Sequence, residues 1–295
     1  MKGWYSWGDI QQIILEKPHG LVLLLGGPDT GKTTLFKQLA ESYVTAGLRV
    51  GLVDADVGQS TIGPPTTIGM VVAEGSMPDL FWADALYFVG NNNPVGHLME
   101  VVIGSRRMVD RARLAGVEAV VFDSSGLIQP PYGRVLKYRK LELLRPQFIV
   151  AIEQADELTP ITSWLAGCWD SELLHTRPPV GVRSVPTSER TRYRQAQYQR
   201  YFSDATTKSF KLKELCLYPP GFLNGRAEPT GLLVGLQDKG WNTVAVGIVE
   251  SAGQDTVEIY APYPLEVRIR GLVAGHMKLS LSGVELERIR PRQIF

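Results

Sequence analysis

The sequence predicts an α/β fold: a mostly parallel sheet flanked by helices, followed by a small C-terminal β domain. Three observations carry this. Short, mostly apolar runs recur at long intervals over the first two thirds of the chain, as strands joined by parallel crossovers require. A glycine-rich loop links the first of these runs to a helical pattern. After Pro219-Pro220-Gly221 the texture changes to closely spaced β-type runs with turn residues between them.

Residues 1–20 read as a short aromatic-rich arm ended by Pro18-His19-Gly20, and 21–215 as the α/β domain. Its candidate strands are Leu21–Leu25, Val50–Val53, Leu86–Val89, Val117–Phe122 and Phe148–Ile152. Between the first two, Leu35, Phe36, Leu39, Ala40, Tyr43 and Val44 mark the apolar face of a helix that Gly47 stops. Residues 216–295 form the β domain, with candidate strands Leu232–Leu236, Thr243–Val249, Thr256–Tyr260 and Val267–Ile269.

The 295 residues suggest about two domains, and 44% hydrophobic content fills real cores. Cys168 and Cys216 are too few and too far apart for a disulfide framework or zinc site. No signal-peptide pattern opens the chain and no apolar run is long enough to span a bilayer, so a soluble, cytoplasmic enzyme with no membrane partner is expected. The net charge of +1 makes no case for nucleic acid, but its distribution does. Between Arg177 and Lys213 nine cations face only Glu189 and Asp204, an electrostatic footprint for a polyanion.

The loop Gly26-Gly27-Pro28-Asp29-Thr30-Gly31-Lys32-Thr33, followed by Thr34, is G-x-x-x-x-G-K-[ST] in a strand–loop–helix setting. Its glycines let backbone N–H groups close on phosphate oxygens. Lys32 reaches the β- and γ-phosphates, and the Thr33 hydroxyl ligates Mg²⁺. The helix N-terminus faces the same anion. The chain is therefore expected to bind a nucleoside triphosphate as a P-loop NTPase.

Asp54-Ala55-Asp56-Val57-Gly58-Gln59 follows the next strand, a place suited to Mg²⁺ or to the attacking nucleophile. Asp54 and Asp56 are expected to have different duties, one of them a turn cap, most naturally Asp54. Gln59 can reach back to a phosphate or water. A third candidate, Val120-Val121-Phe122-Asp123-Ser124-Ser125-Gly126, matches the metal-side strand of P-loop NTPases and echoes the D-x-x-G of GTPases. The guanine-selecting Asn-Lys-x-Asp is replaced by Glu153-Gln154-Ala155-Asp156.

This order of motifs resembles the polynucleotide 5′-hydroxyl kinases related to the RNA kinase subunit of pre-mRNA cleavage factor II, over roughly residues 20–275. The most specific part is Asp54 to Gln59 with the later Pro64-Pro65. The resemblance implies transfer of the γ-phosphoryl of ATP, or GTP, to the 5′-OH of RNA or DNA ends. It places Asp56 near the acceptor hydroxyl and metal. It makes Phe88 to His97 a clasp on the acceptor strand, with Asn93 and His97 as polar contacts, although the family more often has Thr or Ser before the proline. Asp123-Ser124-Ser125-Gly126 looks like the family's Asn/Asp-Thr-x-Gly turn, which makes Ser124 a substrate contact. Arg190-Thr191-Arg192-Tyr193-Arg194 is similar to the family's arginine lid.

The lid spacing has its own physical reason: Arg190 and Arg194, four apart on a helix that Ser188 could cap, descend together while Arg192 points elsewhere. Two departures from longer relatives stand out. Only about twenty residues precede the first strand, where eukaryotic members carry a β domain. Leu127 stands where those members place a base-stacking Trp. Two alternatives remain: a nucleotide-switched ATPase or GTPase that hydrolyses only to change partners, and an RNA-binding scaffold whose kinase activity has decayed.

Overall fold

A computed structural model describes residues 3–163, 165, 169–224, 228–263 and 267–289. Cys168 lies outside the described residues, and Cys216 is a free, exposed thiol. The chain opens with α1 (Trp7–Glu16) and then runs β1 (Gly20–Gly26), α2 (Lys32–Thr45), β2 (Val50–Ala55), β3 (Thr67–Ala73), β4 (Ala85–Phe88) and α3 (Leu98–Leu114). Next come β5 (Ala119–Ser124), α4 (Tyr132–Leu144), β6 (Phe148–Ile152), α5 (Thr159–Thr162), β7 (Glu172–Thr176) and α6 (Thr187–Tyr201). The last part is all β: β8 (Thr206–Lys211), β9 (Cys216–Tyr218), β10 (Leu232–Gln237), β11 (Thr243–Ala252), β12 (Thr256–Ala261), β13 (Gly271–Leu279) and β14 (Glu285–Arg288).

The parallel half of the sheet runs β2-β5-β1-β6-β7, and every residue of β1 from Leu21 onward is buried. Such strands are covered on both faces and so read as unbroken apolar runs. Alternation divides β1 between two cores. Leu21, Leu23 and Leu25 pack with residues of α3 and α4, while Val22 and Leu24 pack with those of α1 and α2. The "arm" is thus partly a helix. Ser6 and Asp9 form a capping box, and Ile10 and Ile14, one turn apart, are fully buried against the P-loop layer.

Beyond β2 the sheet turns antiparallel. β3 pairs with β2, and β4 with β3, so the expected strand at 86–89 is real but is not a parallel crossover strand. β4 then meets β11 through the Leu86–Thr243 pair, which makes the sheet continuous into the C-terminal strands. The chain joins that part early, because β8 pairs with β12. The expected strand Val267–Ile269 is irregular backbone, and the strand starts instead at Gly271. Helix α6 sets Tyr198, Tyr201 and Phe202 against Leu233, Val246, Ile248 and Met277 of the C-terminal sheet. That packing holds the arginine-bearing helix above the mouth of the parallel half.

Candidate functional site

The loop after β1 turns at Asp29 (φ 54°) and Gly31 (φ 85°), left-handed conformations that Gly and Asp tolerate best. A Cβ at Gly26 would stand 2.8 Å from the Ile152 carbonyl, so no larger residue fits there. Gly31 is the N-cap of α2 and offers no side chain to its amides, which leaves them for an anion. Lys32 is 7% exposed. Its ammonium bonds the Gly27 carbonyl of its own loop and lies 3.4 Å from Thr30 Oγ1. Burial lowers its pKa, opposed by Asp123, Asp56 and Asp29. A triphosphate would supply the negative charge this ammonium lacks.

Three carboxylates stand at the strand ends facing the loop. Thr33 Oγ1 donates to Asp123 Oδ2 at 2.7 Å, and the other Asp123 oxygen is buried without a hydrogen-bond partner. Burial raises Asp123 to about 6 against the pull of Lys32. Burial, and then the neighbouring Asp123, raises Asp54 to about 8. Asp54 accepts from the amides of Asp56, Thr61 and Ile62 and so caps the turn, as its place in the motif suggests. Asp56 lines the cleft instead, and its Oδ1 accepts from the Gly58 and Gln59 amides at 3.0 Å each.

These donors fit Mg²⁺. The orphaned Asp123 oxygen, the Thr33 hydroxyl and Asp56 lie at one mouth, and crowded carboxylates are relieved by a divalent cation. Among the described residues no group of three or more His, Cys, Asp or Glu forms a dedicated cage. Mg²⁺ needs none, since one or two carboxylates and substrate phosphates complete its shell.

The cleft holds ≈ 820 Å³ and brings together Pro28 to Thr34, Asp56, Gln59, Asn93, Arg190 and Arg194. Gln59 Nε2 bonds the Gly58 and Arg190 carbonyls, which ties the Asp56 turn to α6. Asn93 Oδ1 caps the Val95 amide at the cleft's rim. Helix α6 carries both arginines inward and leaves Arg192 exposed. Pro186, not Ser188, is its N-cap, because the helix begins one residue before Ser188. Each inward arginine holds a carboxylate: Arg190 lies 2.6 Å from Asp29 of the loop, and Arg194 2.5 Å from Glu285 of β14. The rest of the basic run is dispersed: Arg183 pairs with Glu189, Arg200 with Asp79, and Arg177 and Lys208 lie over aromatic rings.

Two expected contacts face elsewhere. Ser124 is 1% exposed, and its Oγ donates to the Leu24 carbonyl at 2.6 Å and accepts from Lys137 Nζ at 2.8 Å. Its neighbours Ser125 and Gly126 reach the cleft instead. His97 is 4% exposed; its ring lies 4.4 Å from that of His276 and 3.1 Å from Asn91 Nδ2, away from the cleft. Ser124 ends a strand whose side chains alternate, and His97 precedes a helix that needs an anchor. Arg288 is a cleft residue that no motif of the sequence marked. Its Nη2 bonds Asn92 Oδ1, 196 residues away, at 3.1 Å.

A P-loop on a parallel sheet, metal-side carboxylates and an arginine helix above them define a nucleotide-binding protein of the P-loop class. Within that class the chain belongs to the CLP1 family: residues 26–204 match the family model for the mRNA cleavage and polyadenylation factor CLP1 P-loop. A polyribonucleotide 5′-hydroxyl-kinase of Pyrococcus furiosus is 32% identical over 228 residues, 76% of this chain and 63% of that protein. One from Pyrococcus horikoshii is 34% identical over 72% of this chain and 57% of its own length. The chain thus spans about three fifths of the length of these curated relatives. The solved Clp1p–Pcf11p complex shares the fold, with TM-score 0.69 over 92% of this chain and 78% of that one at 10% identity.

Proposed function

We propose that this chain is a polynucleotide 5′-hydroxyl kinase. It transfers the γ-phosphoryl of ATP, or GTP, to the 5′-hydroxyl of RNA, with DNA as a further acceptor. The carrying observation is one cleft where the P-loop, Asp56 and the paired arginines of α6 face the Asn92–Pro94 loop. A hydrolase needs room only for water, whereas this cleft runs from the P-loop to the polar Asn92–Pro94 rim. The names borne by the Pyrococcus relatives support the same reading.

Lys32 and the loop amides hold the phosphates, while Thr33, Asp123 and Asp56 would hold Mg²⁺, which supplies charge neutralisation at the β- and γ-oxygens. Two amides fix Asp56 Oδ1, which leaves its other oxygen to orient the acceptor hydroxyl and take its proton. Arg190 and Arg194 exchange their carboxylates for the transferring phosphoryl, where positive charge counts most. Incubation with γ-labelled ATP, Mg²⁺ and matched 5′-hydroxyl RNA and DNA oligonucleotides tests the proposal. Label on the oligonucleotide supports it, and labelled free phosphate alone opposes it.

A further inference from the structure

Strand β14 brings one more cation to the cleft, and it does so through an irregularity. β14 pairs with β13 so that Leu279 faces Glu285, Lys278 faces Glu287 and Met277 faces Arg288. Leu286 is therefore an extra residue, a β-bulge. In an unbroken strand Glu285 and Arg288, three apart, would point to opposite faces. With the bulge between them, both fall on the face of Met277 and Leu279, which packs against α6. Glu287 falls on the other face. Bulges re-aim side chains beside functional sites, and here the re-aimed side chain is Arg288, which lines the cleft.

Arg288 is held differently from the lid arginines. Arg190 and Arg194 are neutralised by Asp29 and Glu285. Arg288 instead donates to the Asn92 side-chain carbonyl at 3.1 Å, and among the described residues it forms no ion pair. Asn92 in turn donates from Nδ2 to Glu285 Oε1 at 3.0 Å. A guanidinium resting on a neutral amide keeps its full charge, and its planar fork matches two oxygens of a phosphate. Resting on the polynucleotide reading above, we propose that Arg288 holds the phosphodiester backbone of the acceptor strand just behind its 5′-terminal nucleoside.

Position separates this anion from the triphosphate. Lys32 and the amides at the start of α2 take the triphosphate, and Asp56, Arg190 and Arg194 meet its γ-phosphoryl. Arg288 is tied instead to the Asn92–Pro94 rim. An acceptor with a free 5′-hydroxyl carries no charge at its reacting end, so its first anions are the linkages that follow. A cation at this rim finds no partner on a nucleoside and finds one on a polynucleotide. Phosphate contacts fix register without reading bases, so RNA and DNA are gripped alike. The C-terminal strands thereby contribute to the substrate site.

The test is fluorescence anisotropy with the full chain and two 5′-hydroxyl RNAs of one sequence. Both carry 2′-deoxy residues at the first two positions, joined onward by phosphodiesters in one and by neutral methylphosphonates in the other. Wild type, Arg288→Ala and Arg288→Lys are compared, with ATP affinity measured alongside. The expected result is that Arg288→Ala binds the phosphodiester RNA about tenfold more weakly, while Arg288→Lys recovers part of the loss and ATP affinity is unchanged. The slope of log K against log salt falls by about 0.7 in Arg288→Ala. Neutral linkages cost wild type a similar factor and cost Arg288→Ala little more, because both changes remove one contact. Undiminished affinity in Arg288→Ala overturns the proposal, as does a loss equal for the two RNAs or one shared by ATP. Binding needs no phosphoryl transfer, so absent labelling of a bound 5′-hydroxyl RNA sinks the kinase reading alone. Normal labelling with undiminished binding in Arg288→Ala sinks this proposal alone.

Discussion

Asp56 and Asp54 show how two carboxylates two residues apart take different duties. Strand β2 ends at Ala55, so Asp54 is buried under three amides while Asp56, on the turn beyond the strand, lines the cleft. Asp56→Asn should lower turnover by at least about a hundredfold, the scale of a lost general base, while nucleotide affinity is largely kept. Comparison of kcat with nucleotide Kd checks this, and equal loss in both would make Asp56 a metal ligand only. On α6, Arg190→Ala and Arg194→Ala should each cost up to several powers of ten in kcat, with Arg192→Ala close to wild type. A uniform, salt-sensitive fall in RNA affinity across all three, with turnover unchanged, would show a plain basic patch. The motif residues were legible because their chemistry is tied to spacing. Ser124 and His97 turn away from the cleft lining, since spacing does not say which way a side chain turns. Of the arginines' partners, Asp29 fills a variable position of the loop motif and Glu285 lies in no motif.

At the scale of elements, the strands legible in advance include those buried on both faces, β1, β2, β5 and β6, whose apolar runs stand alone, and the closely spaced C-terminal strands β10, β11 and β12. Strand β7 was not, because Glu172-Leu173-Leu174-His175-Thr176 sits at the sheet edge with mixed polarity. The expected strand 267–269 failed because apolar alternation there does not continue into a paired register. The Phe88–His97 segment docks on β13, where the His276 amide donates to the Gly90 carbonyl at 2.7 Å and the His97 and His276 rings meet. Burial, and then His97, lowers His276 to about 4, and burial lowers His97. Both rings are neutral in the fold, so the sign is fixed: their contribution is complete above the unfolded value near 6.5 and fades as pH falls toward about 4. Thermal unfolding from pH 7.5 to 4.5 should show Tm falling through that window, with a shallower fall in His276→Phe. An unchanged slope in the variant would remove His276 from the account.

Over the whole molecule, one continuous sheet links the phosphate loop to β14, the strand that ion-pairs with the arginine helix α6. Arg194 and Glu285, 11% and 18% exposed, connect α6 to β14 across 91 residues. Glu285→Gln should weaken that latch. It leaves Arg194 without its counter-charge, so the nucleotide-free chain loses stability while triphosphate binds more tightly. Urea unfolding together with nucleotide titration reads both quantities, and weaker triphosphate binding would contradict the latch. The proposed acceptor site is also tested at this scale, since Leu127 lines the cleft. Leu127→Trp should tighten oligonucleotide binding, as base stacking is worth about 1–3 kcal/mol, and unchanged affinity would show that the acceptor's first base lies elsewhere.

The central claim is that the cleft passes a phosphoryl group to a polynucleotide rather than to water. The most direct measurement mixes γ-labelled ATP and Mg²⁺ with one RNA bearing either a 5′-hydroxyl or a 5′-phosphate, and maps the label after digestion to single nucleotides. The account predicts label at the 5′-terminal nucleotide of the hydroxyl RNA only, abolished in Lys32→Ala. ATP hydrolysis at equal rates with both RNAs, with no labelled terminus, would contradict it and leave a nucleotide-driven switch.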